Sequence, residues 1–99
     1  MLVHLPIIIL TSLQPVADNV PKLDVARECQ FEVGSSKELQ DKCAEDEKLA
    51  RNQLQKEWTQ FSPTAKRQCI QEAALGDAAS YVELQTCLEM ERDAHKASK

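Results

Sequence analysis

Apolar positions recur along this chain with the period of an α-helix. Leu39, Cys43, Glu47, Ala50, Leu54, Trp58 and Phe61 follow one another at spacings of four and three, so they share one face of a single long helix. Ser35 with Glu38 three residues on reads as its capping box, and no residue from there to Phe61 breaks a helix. About 25 residues at a rise of 1.5 Å each would reach roughly 37 Å. Upstream, Val25, Cys29 and Val33 recur at four-residue spacing, with Asp24 as N-cap and Gly34 as stop, which predicts a short helix. Downstream, Ser62-Pro63 ends the long helix and begins another, because Ser is a favoured N-cap and Pro suits the first helical position. That helix is expected to run to about Leu75 and stop at Gly76. Ser80 with Glu83 forms a further capping box and opens a last helix from Tyr81 to about His95. No alternating β-branched run and no Asn-Gly or Asp-Gly turn marks a strand. The expected fold is all-α: a small bundle of about four helices, one short, one long and two medium, with the last two closing over the long one.

The N-terminus follows a different pattern. Met1 to Ala17 contains no Lys, Arg, Asp or Glu, and Leu2 to Leu10 is apolar apart from His4. Spanning a bilayer takes about 20 apolar residues, so this run is too short for a membrane helix. It suits the apolar centre of a signal peptide cleaved after Ala17, although no Lys or Arg precedes it and Pro15 stands where a small residue is preferred. The expected organisation is a signal peptide over residues 1–17 and one domain over 18–99, beginning with a short linker from Asp18 to Pro21.

Cysteine placement changes the picture further. The 99 residues contain four cysteines, Cys29, Cys43, Cys69 and Cys87. A domain this small buries a limited fraction of its surface and often depends on covalent staples. Cys29 and Cys43 lie about equally far from the breaker Val33-Gly34-Ser35-Ser36, and Cys69 and Cys87 about equally far from Gly76-Asp77. Residues meet across a helical hairpin only at similar distances from its turn, so the pairing Cys29–Cys43 with Cys69–Cys87 is expected. A Cys43–Cys69 bond is not expected, since helix rise would separate the two by far more than the roughly 7 Å that a disulfide can bridge. The pairing Cys29–Cys69 with Cys43–Cys87 stays open if the hairpins interlock. Disulfides and a leader together imply an oxidising compartment, periplasmic or secreted.

Charge and candidate chemistry narrow the function classes. Twelve basic and 16 acidic residues give a net charge of −4, with no block of Lys or Arg. That argues against nucleic acid, whose binding rests on neutralising phosphates, and against adsorption to anionic lipid. No stable membrane insertion is expected after processing. The gaps between successive cysteines are 13, 25 and 17 residues, so there is no Cys-x-x-Cys redox pair and no closely spaced zinc ligand set. Gly34 and Gly76 are the only glycines, which leaves no phosphate-binding loop. No cofactor and no catalytic residue is expected. Glu47 is the one polar interruption of the long apolar stripe. A buried carboxylate is costly unless paired. Arg51, one turn on, and Arg67, on the following helix, are the expected partners in a buried ion pair. The competing reading makes Glu47 a functional acid or ligand-binding carboxylate.

The runs Cys43-Ala-Glu-Asp-Glu47-Lys-Leu-Ala50-Arg51-Asn-Gln53-Leu54, Trp58-Thr-Gln-Phe61, Arg67-Gln-Cys69 and Ser80-Tyr-Val-Glu-Leu-Gln-Thr-Cys87-Leu-Glu-Met90 carry a resemblance. From about Pro21 to Asp93 the chain resembles a group of small, uncharacterised exported proteins of rhizobial-type alphaproteobacteria. It departs from the group at Ala79, where Pro often precedes the Ser. The resemblance implies an exported, disulfide-bonded helical domain and brings no known activity. The resulting expectation is a non-catalytic binding or accessory module whose partner is a protein or small ligand of the cell envelope. The alternative is a small enzyme or metal-handling protein that uses Glu47 or the cysteine thiols. No feature of the sequence sets an oligomeric state.

Overall fold

A computed structural model describes residues 19–74 and 79–97. The expected signal peptide, its cleavage point after Ala17, and the Gly76-Asp77 stop lie outside the described residues. The described part is all-α, with four helices and no strand among these residues.

Helix α1 spans Val25–Val33. Its N-cap is Asp24, whose carboxylate accepts the Arg27 amide at 3.0 Å, and Gly34 ends it at a φ of 72°, a conformation that favours glycine. Helix α2 spans Lys37–Glu57 and continues as a tight 3₁₀ turn over Trp58–Gln60, so the long α-helix is shorter than the sequence pattern suggests. Its N-cap is Ser36, which accepts the Leu39 amide, in place of the expected Ser35. Helix α3, Pro63–Ala73, starts as expected with Ser62 as cap and Pro63 in the first turn. Helix α4 spans Tyr81–Ala97.

The layering departs from expectation in one respect. Helix α4 packs against both α2 and α3, and α1 packs against α2, whereas α3 has no comparable contact with α2. The last helix therefore forms the middle of the bundle. Ala50, Leu54, Trp58 and Phe61 meet Ala65, Cys69 and Ala73 from α3, and Tyr81, Leu84 and Leu88 from α4, in one continuous core. Trp58 and Phe61 pack edge to face, 6.2 Å between ring centres, a favoured aromatic geometry. Leu39, expected on the buried stripe, is 52 % exposed. It lies on the correct face of α2, but two turns before Glu47, the level at which the start of α4 meets α2.

Two disulfides staple the hairpins. Cys29–Cys43 joins α1 to α2 with Cα atoms 5.6 Å apart, and Cys69–Cys87 joins α3 to α4 at 5.7 Å. The interlocked pairing is thereby excluded. No helix of the described residues is long and apolar enough to cross a membrane.

Candidate functional site

The most concentrated buried chemistry lies where α4 begins. The first amides of any helix lack partners within it and must be satisfied from outside. Here two side chains share the task. Ser80 Oγ accepts the Glu83 amide at 3.2 Å, as its cap position predicts. Glu47, projecting from the middle of α2, accepts the Tyr81 amide at 2.6 Å and the Ser80 hydroxyl at 2.7 Å, with a longer 3.5 Å contact to the Val82 amide. Glu47 is only 3 % exposed and Ser80 equally enclosed. A carboxylate against a helix N-terminus is favoured both by those hydrogen bonds and by the helix dipole.

Tyr81 extends this knot to the N-terminal segment. Its hydroxyl donates to the Pro21 carbonyl and accepts the Leu23 amide, both at 2.8 Å. One buried side chain thus ties the approach to α1 onto the start of α4, some 60 residues away.

The expected ion pair is replaced by this arrangement. Among the described residues neither Arg51 nor Arg67 lies within ion-pair distance of Glu47. Arg51 sits one turn on but is rotated around α2, where it lines a hollow with Asn19, Val20, Gln55, Trp58 and Thr59. Its Nε is buried without a hydrogen-bond partner. Arg67 is exposed on α3 and lines a shallow groove of about 670 Å³ with Pro21, Thr64, Gln68, Ile70, Gln71 and Ala74. Amides at the start of α4 take the place of the cations. They carry partial positive charge and need acceptors, so they complement Glu47 without a second buried ion.

A second polar cluster, not singled out from the sequence, joins α2 to α4 lower down. Glu57 accepts from Gln53 at 2.6 Å, and Glu89 accepts from Gln85 at 3.0 Å. Arg92 Nη1 lies 3.4 Å from Glu57 Oε1, within ion-pair range but not aligned as a hydrogen bond, and donates to Gln60 at 2.9 Å. Burial pushes both carboxyl groups up. At Glu57, contacts with Gln53, Glu89 and Arg92 outweigh burial and hold it below its ordinary value. At Glu89, burial and the Glu57 carboxylate prevail over Gln85 and Arg92, so Glu89 keeps its proton to higher pH. The repeated Gln-x-x-x-Glu spacing was the available signal: it is an i, i+4 pair on each of two helices.

Glu28, on α1, is also buried, at 5 % exposure. Burial raises its pKa, and the carboxylates of Glu32, Glu47 and Glu83 raise it further. All four cysteines are disulfide-bonded, and no group of three or more His, Cys, Asp or Glu among the described residues is arranged to hold a metal ion. Comparison with known families, curated proteins and solved structures found no match to this chain.

Proposed function

We propose that this chain is a small exported protein, periplasmic or secreted, that acts as a non-catalytic binding or accessory module of the cell envelope. The observation that carries this reading is where the reactive groups are engaged. Glu47 is committed to the start of α4, and the four cysteine sulfurs to two disulfides. These are the groups that the alternative, a small enzyme or metal-handling protein, assigns to chemistry, and each has a structural bond as its partner. The uncharged apolar N-terminus supports export, and disulfides persist where the compartment is oxidising. The resemblance to exported proteins of rhizobial-type alphaproteobacteria agrees with the same placement.

The test is expression of the full chain in a bacterial host with an envelope, followed by fractionation, N-terminal sequencing, thiol counting and metal analysis. The expected product is found outside the cytoplasm, begins at Asp18, has no titratable thiol and binds no stoichiometric metal. A cytoplasmic product with four free thiols and one bound metal ion would replace this reading with the metal-handling one.

A further inference from the structure

Each disulfide has a glutamate beside one of its sulfurs, and the same spacing places both. Glu32 follows Cys29 by three residues, and Glu72 follows Cys69 by three. Each carboxylate therefore projects about one helical turn beyond the first cysteine of its pair. From there it reaches the second cysteine: Glu32 Oε1 is 4.0 Å from Cys43 Sγ, and Glu72 Oε1 is 3.7 Å from Cys87 Sγ. These are contacts and not hydrogen bonds, because a disulfide sulfur carries no hydrogen to donate. In both pairs the contacted sulfur belongs to the more accessible cysteine. Cys43 is 8 % exposed against 2 % for Cys29, and Cys87 is half-buried whereas Cys69 is fully buried. A cavity of about 360 Å³ is lined by Cys69 and Cys87, with Glu72 and Glu83 also on its wall.

We propose that Glu32 and Glu72 are electrostatic guards that slow opening of the two disulfides by anionic thiolates. Exchange begins when a thiolate attacks one sulfur and forms a mixed disulfide. At the second bond, a small-molecule thiolate bonds to Cys87 Sγ as the Cys69–Cys87 bond breaks. Its electron pair leaves on Cys69 Sγ, which takes a proton from water. A second thiolate then attacks the mixed disulfide, releasing Cys87 as a thiol and the reductant as its own disulfide. Each transition state spreads negative charge over three sulfurs, a few ångströms from the carboxylate, and like charges at that range repel. Both glutamates are exposed, so the repulsion is screened by salt.

The test compares the oxidised wild-type protein with Glu72→Gln and Glu72→Lys. Opening of each bond under native conditions is followed by alkylation and peptide mapping. The reductants are 2-mercaptoethanesulfonate, whose tail is anionic, and cysteamine, whose tail is cationic. At low salt the Cys69–Cys87 opening rate with mercaptoethanesulfonate should rise about threefold in Glu72→Gln and about tenfold in Glu72→Lys, and the gain should shrink in 1 M salt. With cysteamine the rise should be smaller, so the ratio of the two rates tracks the charge at position 72. Glu32→Gln and Glu32→Lys should act in the same way on Cys29–Cys43. A rate ratio that stays constant across the variants overturns the proposal, whether both rates hold still or both rise together because the fold has loosened.

Discussion

At the residue scale, Glu47 and Glu28 show how burial gives a carboxylate opposite consequences according to what faces it. Glu47 meets hydrogen-bond donors on every side that matters, two amides and a hydroxyl. Glu47→Gln keeps one acceptor oxygen but turns an NH₂ group toward donors it cannot satisfy. Loss of a charged, buried acceptor should cost about 2–3 kcal/mol. The measurement is a lower denaturant midpoint at unchanged slope, with faster amide exchange at Tyr81 and Val82 than elsewhere in α4; protection of those two amides as in the wild type would refute the capping role. Glu28 meets other carboxylates instead, and burial together with Glu32, Glu47 and Glu83 raises its pKa above the ordinary 4.5. The stability that follows from its proton is fully present below that unfolded value and is lost as pH rises through the raised folded one. Glu28→Gln should therefore melt higher than the wild type at pH 7 and level with it in acid. A gap in melting temperature that did not depend on pH would remove the carboxyl group from the explanation.

At the scale of elements, the two staples do different work. Helix α1 has nine residues, fewer than the roughly 12–15 that an isolated helix needs for even marginal stability in water. It packs mainly on α2, with Val25 at the edge of the central core, so its order rests largely on Cys29–Cys43, its caps and the docking of Pro21 and Leu23 onto Tyr81. Replacing Cys29 and Cys43 by Ser should therefore free α1 locally while α2, α3 and α4 keep a cooperative transition. Cys69 is part of the main core, so the same replacement at Cys69 and Cys87 should lower the global transition itself. Circular dichroism at 222 nm, read with amide exchange along α1, separates the two outcomes. Equal effects from the two double mutants would show that the hairpins are energetically equivalent.

For the whole molecule, the staples are expected to carry a large share of the stability. The bonded cysteines are 14 and 18 residues apart, for which loop-closure entropy implies about 3 kcal/mol per bond. A domain of this size commonly has about 5–15 kcal/mol in total. Full reduction should leave the chain largely unfolded or molten at 37 °C, with lost near-ultraviolet signal and broad amide resonances. A sharp melt of the reduced protein, superimposable on that of the oxidised one, would show that the apolar core alone suffices.

Local physics made much of this protein legible from sequence. Caps at Asp24 and Ser62, the stop at Gly34 and the helical spacing of the core residues act within a few positions, so they can be read without knowing the fold. The cysteine pairing was also accessible, because antiparallel hairpins bring together residues equidistant from a turn. What covers each face was decided only by tertiary structure. Helical periodicity puts Leu39 and Leu54 on one stripe, yet the first is exposed and the second fully buried, since α4 begins only at the level of Glu47. The i, i+4 spacing of Glu47 and Arg51 sets them near one another on α2, but the side chains turn to different neighbours. Glu47 finds its partners on a helix 34 residues away in sequence. Periodicity names the face a residue occupies; the arrival of another helix end determines which charge or dipole that face meets.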